Sequence, residues 1–317
     1  MLRHSKFKEL TISHSATIFL ALAAGTLAAQ ETAHFTSDTR LVVLPVTVVD
    51  KSGRLITTLP ESAFQVFENG VPQKVKQFKR EDVPVSMGLI IDNSGSMRDK
   101  RQKVAAAAVA LVKDSNKEDE AFVVNFNDEA YLDTPNFTND ISVLDQALSR
   151  IDSRGGTAMR DAINMSIDHM KRYAKKDKKV ILVVTDGNDN ASSVSLENLV
   201  KKAQQSEVLV YSIGLLSEEE KREAKRAKRA LDLLTEATGG QAYYPKELAD
   251  VERIAHQVAH DIRNQYTITY TPANQALDGS FRQIKVVANG PGHLVARTRT
   301  GYYATPDAVN AKANSFR

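Results

Sequence analysis

From Val85 to about Gln265 apolar runs of strand length alternate with longer stretches that read as helices, and this alternation constrains the chain more than any other feature. "VSMGLIID", "EAFVVNFND", "KKVILVVTDG" and "EVLVYSIGL" are buried-type strands, with "AYLD" and "QAYYP" as shorter ones. Between them lie "RQKVAAAAVALVKD", "ISVLDQALSRI", "MRDAINMSIDHMKRYA", a helix around Leu196 to Gln204, a long charged helix and "ADVERIAHQVAHDIRNQ". Five or six strands joined by crossover helices predict an α/β fold with a doubly wound, mostly parallel sheet.

The flanks have a different period. "RLVVLPVTVVD" is β-branched and apolar, with Pro45 implying an edge position or a bulge. "AFQVFENGVPQKVKQF" reads as two alternating runs joined at Asn69-Gly70, a strong hairpin signal. After Gln265, "YTITYTP", "FRQIKVVAN" and "HLVARTRTGYY" read as three more strands. About three strands on each side are too few for a two-layer core, so the flanks are expected to combine into one β-sandwich around the α/β insertion. The expected organisation is a signal peptide over 1–29, N-terminal β-strands over 30–82, the α/β domain over 83–265, C-terminal β-strands over 266–304 and a polar tail over 305–317.

Residues 1–29 carry a basic start (Arg3, Lys6, Lys8) and an apolar run from Ala16 to Ala29 that ends in small residues. The run is shorter than the roughly 20 residues of a membrane span, which predicts export with cleavage near Ala28 or Ala29; a retained anchor is the alternative. Its removal takes three basic residues and one acidic residue, leaving 39 basic against 38 acidic. A nearly neutral chain has no strong affinity for nucleic acid or membranes. Without any cysteine there is no disulfide and no lipid-anchor thiol, so stability must come from packing and from any bound metal.

In a doubly wound sheet ligands bind beyond the carboxyl ends of the strands. Three loops are candidates for that edge: "DNSGS" with Asp92, Ser94 and Ser96; "RGGTAMRD" with Thr157 after a glycine pair; and "VVTDGND" with Asp186. Two carboxylates and three hydroxyls form an all-oxygen donor set that suits Mg²⁺ (or Mn²⁺ or Ca²⁺) better than zinc. Two negative charges balance the ion, and weak hydroxyl donors leave it able to accept one more carboxylate from outside. The bland alternative is that the aspartates cap helices and the hydroxyls satisfy turns.

Asp92-x-Ser94-x-Ser96, Thr157 and Asp186-Gly187 occur in the order of the metal-ion-dependent adhesion site of von Willebrand factor A (VWA) domains, which the chain resembles over about residues 84 to 265. With the flanking "FQVFENGVPQKVKQF" and "YTITYTP…GYY" it looks most like exported bacterial VWFA-related proteins of the acidobacterial type. The resemblance implies that Ser94 and Ser96 ligate the metal directly, Thr157 directly or through water, and Asp92 and Asp186 largely through water. It further implies a protein partner whose exposed Asp or Glu fills the open position, and hence a role in adhesion or recognition.

No pattern for nucleophilic catalysis is present, so the chain is not expected to be an enzyme; a metal-assisted hydrolase or a metal-stapled structural module are the alternatives. His256 and His260 lack the glutamate of HExxH, Gln257 standing in its place, and read as residues of a packed helix. The six basic residues between Lys221 and Ala230 read as a solvated helix opened by a Ser217–Glu220 capping box. Asn188, Asp189 and Asn190 either shape partner choice or form an Asx-rich turn. Asn125 and Asn127 border the site, or Asn127 only cradles a turn.

Overall fold

A strand whose every residue is buried has to be covered on both faces, and Val85–Asp92 is such a strand. In the computed structural model residues 41–305 are described, apart from Glu81, Ser115, Ile151, Asn188 and 218–220. The expected signal segment and all but the first residue of the polar tail therefore lie outside the described residues.

The elements in chain order are β1 (Val42–Asp50), β2 (Phe64–Glu68), β3 (Val71–Gln73), β4 (Val75–Lys79), β5 (Val85–Asp92), α1 (Arg101–Lys113), β6 (Glu120–Phe126) and β7 (Ala130–Leu132). There follow α2 (Ile141–Leu148), α3 (Met159–Tyr173), β8 (Lys178–Thr185), α4 (Leu196–Ser206), β9 (Leu209–Gly214), α5 (Lys221–Thr238), β10 (Ala242–Tyr243) and α6 (Asp250–Arg263). The last strands are β11 (Tyr266–Tyr270), β12 (Phe281–Ala288), β13 (Leu294–Arg297) and β14 (Gly301–Tyr303).

The central sheet runs β10-β9-β8-β5-β6-β7 and is parallel except for β7, which pairs antiparallel with β6. Helices α1, α2 and α6 contribute Leu111, Leu148 and Val258 to the core on one face. Helices α3, α4 and α5 contribute Ile163, Leu199 and Leu234 to the core on the other. The chain goes from β5 outward to β6 and returns to β8 on the opposite side of β5, so the strand order reverses there. The loops after β5 and β8 flank the crevice that such a reversal opens at the carboxyl edge.

Two antiparallel sheets, β13-β1-β11-β4 and β14-β12-β2-β3, each combine strands from both flanks and share one core that includes Leu44, Val66, Ile268 and Ile284. Beneath it the buried Glu68 carboxylate accepts the hydroxyls of Tyr270 at 2.7 Å and Tyr302 at 3.0 Å, tying β2 and β14 of one sheet to β11 of the other. The Asn69-Gly70 turn has φ of 48° and 79°, as a two-residue hairpin requires. Pro45 falls where β1 pairs with β11 only, since β13 takes over from Thr47, so its missing N–H disturbs no ladder.

Two sequence expectations are corrected. The run after Asn69-Gly70 is two strands in different sheets: β3 pairs with β2, and past Lys74 β4 pairs with β11. "HLVARTRTGYY" is likewise two strands, β13 on β1 and β14 on β12. Between them the Thr300 N–H donates to Ala237 O at the end of α5 while its carbonyl accepts the Ile284 N–H of β12, so the chain passes from one sheet to the other against the α/β body. A period of two carries no mark of which sheet a strand joins.

Candidate metal centre

Strand β5 ends at Asp92, and Thr185 at the end of β8 comes level with it, because the parallel register pairs Ile91 with Val184. The fully buried Asp92 carboxylate is held at both oxygens: Oδ1 accepts the Ser94 N–H at 2.8 Å and Oδ2 accepts the Thr185 hydroxyl at 2.5 Å. Burial pushes this carboxyl up to about 6, with a smaller push from Asp186, against hydrogen bonds from Ser94 and Thr185 that pull it down. Asp92 thus folds the loop back on itself and presents Ser94.

Ser94 precedes a single 3₁₀ turn over Gly95–Met97, yet its hydroxyl makes no capping bond there. It lies 3.2 Å from the Ser96 hydroxyl, which in turn donates to Asp186 Oδ1 at 2.8 Å. Ligands at adjacent corners of an octahedron around Mg²⁺, each 2.0–2.1 Å from the ion, stand about 2.9 Å apart, whereas around Ca²⁺ they stand about 3.4 Å apart. The 3.2 Å between the two serine hydroxyls falls between these values, so they are spaced as adjacent ligands of a hard divalent cation, Mg²⁺ or Ca²⁺ alike. Among the described residues no group of three or more His, Cys, Asp or Glu side chains is placed to hold a metal, and the donors here are mainly hydroxyls.

Thr157 is buried, with Oγ1 3.6 Å from the point where a side chain on Gly187 would begin, which sets it against the Asp186 loop. The three loops are knit directly. Gly95 N–H donates to Gly155 O at 3.3 Å and Arg154 N–H to Asn93 O at 3.3 Å. Thr157 N–H donates to Asn190 Oδ1 at 2.8 Å, and Asn190 N–H returns to Thr157 O at 3.1 Å. Gly155 has a φ of 72°, and a Cβ there would stand 2.0 Å from Asp128 Oδ2, whose partner oxygen accepts the Gly156 N–H at 2.6 Å. Asp92, Ser94, Ser96, Thr157 and Asp186 therefore share one rim of the sheet.

The neighbouring polar residues take structural places. Asp189 accepts the Arg160 N–H at 2.7 Å at the start of α3 and bonds Ser192, and with Asn190 it makes the Asx-rich turn; Asn188 lies outside the described residues. Asn127 accepts the Glu129 N–H and cradles a turn. Asn125 is set behind the rim, donating to Asp133 Oδ2 at 2.6 Å and to Ala147 O at 3.1 Å and accepting from Arg101. His256 is exposed and pairs with Asp114 just past the end of α1, and His260 is exposed as well. Glu220, half of the expected capping box, lies outside the described residues, while the basic residues of α5 from Lys221 to Arg229 are exposed as expected.

Four residues at the site carry no sequence expectation. Thr185 and Asp128 hold the first and second loops. Lys100 forms an ion pair with Asp186 Oδ2. Arg101 is fully buried, its guanidinium pushed down to about 10 by burial against the pull of Asp92 and Asp133. Thr185 had a legible signal, as the one hydroxyl at the end of the apolar run "KKVILVVT"; Lys100 and Arg101 read only as the charged start of a helix.

Among solved structures the chain is similar to a von Willebrand factor type A protein from Catenulispora acidiphila, at 14% identity and a TM-score of 0.47, covering 86% of this chain and 76% of that one. It is also similar to the PilB minor pilin from Streptococcus sanguinis, at 14% identity and a TM-score of 0.46; the match covers 58% of this chain and only 62% of the pilin. A third similarity is to the vWF domain of the type V pili tip protein Mfa5 from Porphyromonas gingivalis, at 14% identity and a TM-score of 0.46, covering 57% and 97%. No curated protein matches the chain. Residues 87–188, a span that contains all five rim residues, match the family model of the von Willebrand factor type A domain.

Proposed function

We propose that the chain is an exported protein-recognition module that grips a carboxylate of a protein partner through a divalent cation held by Ser94, Ser96 and Thr157, with Asp92 and Asp186 supplying the balancing charge. The observation that carries this reading is the spacing of Ser94 Oγ, Ser96 Oγ and Asp186 Oδ1 at 3.2 and 2.8 Å on one rim. A bound ion would supply Lewis acidity toward the partner's carboxylate. The chain's part is to aim hydroxyls that neutralise little of the ion's charge, and to keep both carboxylates buried behind them. The direct hydrogen bonds among the three loops argue against an ion that merely staples them. Export rests on the basic-then-apolar N-terminal sequence, and among the described residues no helix is long and apolar enough to cross a membrane.

Calorimetric titration of MgCl₂ into wild type and Ser96→Ala tests the site, since Ser96 is exposed and its truncation leaves the core intact. Heat from wild type only is the expected result; equal heats from both would remove the metal centre. Recognition is tested by proteins captured from the native envelope in Mg²⁺, expected to elute with EDTA and to be missing from the Ser96→Ala column. Capture indifferent to both would refute metal-dependent binding.

A further inference from the structure

Lys100 sits where its charge is unfavourable unless something answers it. It immediately precedes α1, where the helix dipole presents positive potential and where a side-chain acceptor would normally cap; Lys100 makes no such cap. What answers the charge is Asp186, whose Oδ2 receives the Lys100 ammonium while Oδ1 receives the Ser96 hydroxyl. The two partners differ in freedom. The Asp186 side chain is 1% exposed and fixed, whereas the Lys100 side chain is 31% exposed and has solvent to swing into.

We propose that Lys100 is a tethered counter-cation that competes with the divalent ion for Asp186, so that the metal centre loads by exchange of an ammonium for a metal. The inference rests on the metal reading above. A divalent charge beside Asp186 and an ammonium on its Oδ2 would repel at close range, so loading expels Lys100 to the rim. In the metal-free chain the same lysine keeps a buried carboxylate paired. Lys100 thereby lowers metal affinity and stabilises the empty form, which sets the cation concentration at which the module becomes competent to bind its partner.

The test is calorimetric titration of MgCl₂ into the full chain as wild type, Lys100→Met, Lys100→Gln and Lys100→Arg, with Ser96→Ala as the blank. Removing a half-exposed ion pair to a buried partner is expected to tighten Mg²⁺ binding about tenfold in both neutral variants, with Lys100→Arg close to wild type. In EDTA the neutral variants should melt lower than wild type, and they should gain more from added Mg²⁺. Binding by wild type with unchanged or weaker binding by the neutral variants overturns the exchange while leaving the metal centre standing. Absence of Mg²⁺ heat in every variant overturns both. A readout that needs no variant is the rate at which an amine-acylating reagent modifies Lys100, followed by peptide mass spectrometry. Saturating Mg²⁺ should raise that rate several-fold, and an unchanged or lower rate counts against the exchange.

Discussion

Thr185→Val removes the hydrogen bond to Asp92 beneath the candidate metal centre, together with a longer one accepted from the Gly187 N–H at 3.4 Å. Valine has nearly the shape of threonine and suits the end of a buried strand, so the substitution opens no cavity and leaves β8 intact. It removes the hydroxyl 2.5 Å from Asp92 Oδ2, and both residues have no solvent exposure, so water cannot take its place without rearrangement. A hydrogen bond to a charged group contributes about 1.5–3 kcal/mol, and here its loss leaves a buried carboxylate oxygen without that partner. For a chain of this size each kcal/mol lowers the melting point by about 2–4 °C, so a fall of about 3–12 °C is expected in EDTA at pH 7.5. Urea denaturation should give the same cost with an unchanged m-value. Thr185→Ser, which keeps the hydroxyl, should stay within about 1 kcal/mol of wild type. If the proposed ion binds, Mg²⁺ affinity should also fall about 10–100-fold in Thr185→Val, as for other residues that orient a ligand loop. A Thr185→Val chain less than about 0.5 kcal/mol weaker than wild type would refute the reasoning, because Asp92 would then not depend on this bond.

Glu68→Ala strands two buried tyrosine hydroxyls between the sheets and should cost about 3–5 kcal/mol by urea denaturation. Glu68→Leu combined with Tyr270→Phe and Tyr302→Phe should cost much less, and a triple variant as weak as the single one would show that the network is not the cause. Gly155→Ala forces a left-handed φ on alanine and drives its methyl into Asp128, for an expected loss of about 2 kcal/mol; in an Asp128→Ala background the loss should shrink to about 1 kcal/mol, and equal losses would deny the clash. Lys178 donates to Ile262 O, and burial pushes its ammonium down to about 7, so between pH 7 and its unfolded value near 10.5 the unfolded chain holds more protons. Stability should therefore gain from rising pH across that window, and Lys178→Met should flatten the gain; identical pH slopes in the two chains would contradict this.

The layered α/β body was legible because its signal is local. A parallel strand buried on both faces must be written as a near-continuous apolar run, and β5, β6, β8 and β9 all are. The turn at Asn69-Gly70 was legible for the same reason, since left-handed φ values select those residue types on the spot. What the pattern does not carry is the partner of each strand. β3 and β4 are separated by Lys74 alone and join opposite sheets, and the only cause visible is remote: β4 lies against β11, nearly two hundred residues on.

The rim divides along the same line. Asp92, Ser94, Ser96 and Asp186 stand out because oxygen-bearing side chains follow buried strand runs there, and Thr157 because it follows a glycine pair just before α3. The residues that decide how such a rim behaves do not. Lys100 is one of several charges in "MRDKRQK", and nothing in that string separates the ammonium that reaches Asp186 from the guanidinium of Arg101, which is wholly buried with Nε and Nη1 unpartnered, or from the exposed Lys103. Their fates are set by where α1 departs from the loop, and that angle is set by packing on α6 and the sheet. Two carboxylates, Asp92 and Asp186, face two cations, Arg101 and Lys100, so the rim carries nearly balanced charge. That balance means that any ion entering must displace a charge the chain already holds there, and of the two cations only Lys100 has solvent to move into.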